Sequence, residues 1–405
     1  MNHTESNLLV DESRDALQSV RRALIELYGG MGADPEAPQE VSKRYGINRN
    51  LAWKLSRVIN AADPFSTLNH LPGYQGIELA IQAFERAGAT GEAIEPVRAA
   101  VTRLQEVITD HAGGREHLEL TLESMGLFER DTMAESGREL AFRGNSMVWG
   151  VQASTRWTAT FFGPGGSADT MDMTVVSGIV GFRRLRSTVQ WRLQRIRTYN
   201  DRGGVLLPET DIEQFEPKAP SDAPQQIREF CSPHTPDLVV HDTPEGREVL
   251  LPPGPVGNRG AFDIFTGTIL RGLPRYRTDS ERTASKATSI MLPVETLIHD
   301  VIVHRDIVLP NEIEVALNGF PFGSIDDPRT RGASHALPIN EKYVELAGSP
   351  PAVSTPAVPR ITRFVDRVFN RMNWDGSQFR GRRLQMKYPP MSSVLVAQWP
   401  LPERP

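Results

Sequence analysis

Apolar residues recur at three- and four-residue intervals through the first third of the chain. They then give way to alternating runs rich in β-branched and aromatic side chains. Leu17, Val20, Leu24 and Leu27 mark one face of a helix predicted over residues 12–28, which Gly29 and Gly30 are expected to stop. Ile77, Ile81 and Phe84 predict a helix over 75–87, and Val97, Val101, Leu104 and Ile108 another over 92–111. A further helix is expected over 115–125, with weaker helical character continuing to about residue 142.

The pattern changes near Ser146. Residues 147–162, 171–182 and 188–197 carry the Val, Thr, Trp and Phe content of strands. Residues 203–260 are rich in Pro and acidic residues and read as long loops with a few short strands, in the manner of a mobile flap. A second apolar block covers 287–308, and a loop-rich stretch follows over 318–338. A helix is predicted over 355–372, with Thr355 as its cap, Pro356 in its first turn and Asn373 near its end. Residues 393–399 read as the last strand. The fold class expected is an α-helical N-terminal domain containing a helix-turn-helix, followed by a mixed α+β, strand-rich C-terminal part. Its divisions are a disordered stretch over 1–11, a helical domain over 12–88, helical extensions over 89–145 and the strand-rich part over 146–405.

The most informative segment is 40–59, EVSKRYGINRNLAWKLSRVI. A short helix is predicted over 39–45. Gly46 suits a tight turn needing positive φ, and Asn48 can cap a second helix by accepting a backbone N–H bond. At about 100° per residue, Leu51, Ala52, Leu55, Val58 and Ile59 fall on the packing side of that second helix. Arg49, Asn50, Trp53, Ser56 and Arg57 fall opposite, with Lys54 on the flank. Small Ser42 four positions before Gly46, then Ile47, Ala52 and Leu55 at packing positions, resembles the helix-turn-helix domains of bacterial transcriptional regulators. The resemblance covers residues 38–60 and implies double-stranded DNA as partner. Arg49 and Asn50 would then face base edges, and Lys43, Arg44, Asn48, Trp53, Lys54 and Arg57 would meet backbone, sugar or methyl groups. It also implies a homodimer, for which the 92–111 helix offers a seam. Trp53 carries the opposing expectation: if residues 64–74 cover it, the helical part is a scaffold and the chain an interaction or assembly protein.

Composition narrows the picture only in part. With 39% hydrophobic and 23% charged residues the 405-residue chain has the balance of a globular protein. A formal charge of −5 means that any contact with nucleic acid must come from a local basic patch. One cysteine, Cys231, precludes an intrachain disulfide and a cysteine-rich zinc site. No window approaches the ~20 apolar residues of a membrane span, so a cytoplasmic location is expected.

Other constellations are weaker. Arg360, Arg363, Arg367 and Arg371 form one stripe beside an apolar face of Ile361, Phe364, Val365, Val368, Phe369 and Met372. The stripe would suit an anionic ligand or an acidic partner, but a solvated face in which each Arg pairs with a nearby carboxylate is the expectation preferred. Arg380, Arg382 and Arg383 form another basic cluster. His299, Asp300, His304 and Asp306, with His234, His241 and Asp242, invite a hydrolase reading. The apolar residues around Asp300 favour a strand, which would hold Asp300 and His304 roughly 13 Å apart. Ordinary hydrogen-bonding histidines at a sheet edge are expected instead. No cofactor, metal or catalytic set is expected; the ordered expectations are a DNA-binding regulator, an assembly protein and, last, an enzyme.

Overall fold

The computed structural model describes residues 3–404 except 69, 126, 128–129, 197, 200–204, 207–211, 217–224, 244–245, 278–281, 309–312 and 320–335. Parts of the expected 203–260 flap and of the 318–338 loop therefore lie outside the described residues. The chain divides into two compact units, residues 1–134 and 135–405. An N-terminal helical region precedes a strand-rich part, as the changing periodicity predicts.

The first unit contains α1 (His3–Met31), α2 (Pro38–Tyr45), α3 (Arg49–Ile59), α4 (Pro64–Leu68), α5 (Tyr74–Arg86), α6 (Gly91–Ala112) and α7 (Arg115–Ser124). A single apolar core runs from Leu9 to Leu122 and takes side chains from all of them. No boundary falls at residue 88, because the stripe Val97, Val101, Leu104 and Ile108 of α6 is buried in that shared core. The same burial keeps that stripe from serving in a dimer seam. Two limits of α1 also differ from expectation. It begins at His3, inside the stretch expected to be disordered, and it continues through Gly29 and Gly30. Leu9 and Tyr28 are buried, so tertiary packing holds the helix together beyond the reach of local propensity. Pro64 starts the short α4; at a first helical position its missing N–H costs nothing.

The second unit begins within α8 (Arg130–Trp149), which extends well past residue 142. The strands follow as β1 (Val151–Pro164), β2 (Thr170–Arg184), β3 (Trp191–Ile196), β4 (Thr198–Tyr199), β5 (Val205–Leu206), β6 (Ile212–Gln214), β7 (Val239–Thr243) and β8 (Gly246–Leu251). Then come β9 (Phe262–Pro274), β10 (Thr283–Ile290), β11 (Val294–His304), β12 (Glu314–Gly319), β13 (Ala336–Leu337), β14 (Val344–Leu346), α9 (Ile361–Met372), β15 (Phe379–Lys387) and β16 (Ser393–Pro400). A seven-stranded sheet has the order β14-β15-β11-β1-β2-β9-β6 and a four-stranded sheet the order β10-β16-β12-β13. The large sheet is mixed: β1 pairs with β11 in parallel and with β2 antiparallel. Strands β3, β8 and β7 form a smaller sheet, and β4 pairs with β5.

Alternation along the strands sends side chains into two different layers. Trp157, Phe161 and Ile298 pack against α9, where Phe364 lies edge-on to Trp157 at 5.2 Å and Phe369 edge-on to Phe161 at 5.9 Å. Phe162, Leu297 and Val301 point to the opposite side and meet Trp399, Leu395 and Ala397 of the four-stranded sheet. The large sheet is thus covered on both faces, by a helix and by a second sheet. Helix α9 starts six residues later than expected. Arg360, in the left-handed region at φ 63°, is its N-cap, and Thr355 lies in a preceding turn. Its C-terminal limit at Asn373, also left-handed, matches the sequence.

Candidate functional site

Residues 38–60 form the expected local structure. Gly46 caps α2 at φ 67°, a conformation that strains any residue with a Cβ. The Ser42 hydroxyl donates across the turn to the Ile47 carbonyl at 2.7 Å, so small size at position 42 also carries a hydrogen bond. Asn48 caps α3, its side-chain oxygen accepting from the Asn50 N–H at 2.9 Å. Ala52, Leu55, Val58 and Ile59 are buried and Leu51 is partly buried.

The opposite face is open. Lys43, Arg44, Asn48, Arg49, Asn50 and Arg57 are exposed, Lys54 is partly exposed, and Trp53 keeps 42% of its surface. Residues 64–74 do not cover Trp53. His70 meets it edge-on at 5.6 Å, and the Arg57 guanidinium lies 5.2 Å over the indole. Burial, and after it the charges of Arg57 and Lys54, hold His70 below its ordinary pKa. Arg44 donates to the Gly32 carbonyl at 3.1 Å. None of these cations forms an ion pair among the described residues. Ser56 departs from the outward face: it is buried, and its hydroxyl donates to the Pro35 carbonyl at 2.6 Å. A short polar side chain on the border of two faces is drawn inward when a carbonyl lies within reach. The depression of about 430 Å³ beside α2 is lined by Asp34 and Glu40 as well as Lys43 and Arg44, so it is not an anion groove.

The arginine stripe on α9 is not a free surface. Arg360 donates to the Phe230 carbonyl at 2.8 Å, and Arg363 pairs with Glu229. Arg367 lies 3.6 Å from Glu216, and Arg371 pairs with Glu213 while donating to the Phe215 carbonyl at 2.9 Å. Residues 213–230 supply the carboxylates, which sequence spacing cannot place on the helix. Three of the four arginines meet carboxylates within the chain and Arg360 is held by a carbonyl, which favours a paired surface face over a free site for an anion or an acidic partner.

Among the described residues the histidines and acids of 234–306 gather no common site, although His304 Nδ1 lies 3.6 Å from the Asp306 carboxylate. β11 lies inside the large sheet, not at its edge. Asp300 is wholly buried, accepting from Arg383 Nε at 2.7 Å and Nη2 at 2.8 Å and from Trp157 Nε1 at 2.9 Å. Those bonds occupy both carboxylate oxygens. His304 packs its ring on Phe379, and His234 is hydrogen-bonded to the Ala261 carbonyl at 2.6 Å. Among the described residues no three His, Cys, Asp or Glu side chains are placed to hold a metal ion. Burial raises the Cys231 thiol pKa, which makes it unreactive.

One polar cluster was not legible in the sequence. Arg156 and Thr158 of β1 and His299 of β11 face the four-stranded sheet, with Thr158 directly beside His299 in register. Lys286 and Thr288 of β10 face them, since their partners Ala397 and Leu395 point into the same interior. His299 Nδ1 is hydrogen-bonded to the Tyr343 hydroxyl. Its Nε2 and the hydroxyls of Thr158 and Thr288 are buried without a hydrogen-bond partner among the described residues. Burial brings Arg156 down to about 10 and Lys286 to about 8, the Arg156 charge adding to the shift at Lys286. His299 is brought to about 3, by burial first and then by the Lys286 charge.

No family model matches the chain, and no curated protein matches it. One similar solved structure comes from Parabacteroides distasonis and is described as a candidate protease; it is 9% identical. The match covers 62% of this chain and 40% of that one at a TM-score of 0.27. A likeness that slight carries no argument about fold or activity. Among the described residues, no helix is long and apolar enough to cross a membrane.

Proposed function

We propose that this protein binds double-stranded DNA through α3 and acts as a transcriptional regulator, with the strand-rich part as its sensor or interaction domain. One observation carries the reading: Arg49, Asn50, Trp53 and Arg57 lie open on one face of a capped helix, with Lys43, Arg44 and Lys54 beside them. Arg and Asn suit the edges of guanine and adenine, and the flanking cations suit phosphate. Two-fold pairing belongs to the proposal because one short helix covers little duplex. The seam would not use the buried stripe of α6.

A second reading, an interaction or assembly protein, draws on a different observation. Leu140, Met147 and Val148 of α8 are exposed at a helical spacing that puts them on one side. Selection from a random duplex pool with the intact protein separates the two. Enrichment of a sequence with two-fold symmetry supports the regulator, and a pool that stays random leaves the assembly reading.

A further inference from the structure

We propose that the inter-sheet cluster of Arg156, Lys286 and His299 is a binding site for a small oxyanion, a phosphate or a carboxylate. The inference stands apart from the DNA reading and uses none of its residues.

The argument begins with charge. Two cationic side chains enter the interior of a β-sandwich from opposite sheets, and neither forms an ion pair among the described residues. Both keep partial access to solvent, so the position is reachable from outside. A buried cation is ordinarily paired with a carboxylate, as Arg383 is with Asp300 a few residues away in the same unit. At the Arg156–Lys286 position no carboxylate among the described residues takes that role. The cations repel one another, and the arrangement favours an anion between them.

Around the two charges are groups that would complete such a site. His299 shares a hydrogen bond with the Tyr343 hydroxyl through Nδ1, and its buried Nε2 has no partner among the described residues. The Thr158 and Thr288 hydroxyls, one from each sheet, also lack partners among the described residues, and each can donate. Orphaned polar groups are rare in native interiors, and here three of them lie with two unpaired cations on facing strands. A ligand with two or more anionic oxygens would satisfy donors from both sheets.

The test uses the full chain at constant ionic strength in chloride, with inorganic phosphate and succinate as separate probes. Calorimetry and thermal unfolding should show saturable binding and a rise in Tm for at least one probe. Binding of phosphate alone identifies a phosphoryl group, and binding of succinate alone a carboxylate. Arg156→Met and Lys286→Met should each weaken that binding tenfold or more, and Arg103→Met, distant in sequence and exposed, should not. If either variant folds poorly, the dimethyl-lysine NMR signal of Lys286 in the otherwise unchanged protein replaces it, and its titration midpoint should move up by a unit or more with the probe. Absence of saturable binding by both probes overturns the proposal. So does binding that Arg156→Met and Lys286→Met leave unchanged, or a Lys286 signal that ignores the probe.

Discussion

Asp300 and Arg383 show how differently one residue type behaves with and without a partner. Their bidentate pair encloses Asp300 completely, and the Trp157 indole N–H completes it. Arg383→Ala should cost about 3–5 kcal/mol, because it leaves an uncompensated carboxylate in the core. Equilibrium urea unfolding checks this, and a loss below about 1 kcal/mol would mean that water reaches Asp300. His299 makes the complementary point through pH. Its folded pKa of about 3 lies below the ordinary 6.5, so between those values the unfolded chain binds the extra proton. Stability should therefore fall as pH drops from 6.5 towards 3, and His299→Gln should flatten that part of the profile. Acid unfolding curves that coincide for the two proteins would contradict the buried, neutral ring. The residues on α3 were legible individually because a 3.6-residue period separates its faces. Arg156 and Lys286 were not, since alternation along a strand assigns a cation to the outer face and cannot reveal that another sheet covers it.

Elements were legible where their own sequence sets their ends. Gly46 and Asn48 fix the junction of α2 and α3 through a positive φ and a side-chain cap, and both lie where the sequence puts them. Glycines in α1 were misleading because a packed face outweighs local preference. Gly29 and Gly30 are helical with nothing within 4 Å of an added Cβ, whereas Gly46 has equal space but a left-handed backbone. Opposite outcomes follow. Gly29→Ala should stabilise by about 0.5–1 kcal/mol and Gly46→Ala destabilise by about 1 kcal/mol or more. Chemical denaturation of both variants checks the pair, and equal signs would refute the backbone assignment. On α9 the apolar face was legible and carboxylate partners for its arginines were expected, but which acids they are was not. The acids that meet them come from residues 213–230, more than a hundred positions away. Long-range pairing of that kind leaves no periodic trace.

For the whole molecule the change of class near residue 146 was readable, and the division of labour is what the account proposes. A net charge of −5 gives no general attraction to nucleic acid, so the proposed contact must come from the patch around α3. Its cations point outward without acidic partners among the described residues, while the α9 arginines are consumed internally. The most direct test is the affinity of the intact protein for its selected duplex, measured by fluorescence anisotropy across a salt series beside the Arg49→Ala/Arg57→Ala variant. With roughly eight phosphate contacts from a two-fold pair, log K should fall against log salt with a slope of about −7. The variant should bind at least a hundredfold more weakly with its thermal unfolding unchanged. A flat salt response, or a variant that binds like the parent, would contradict the account.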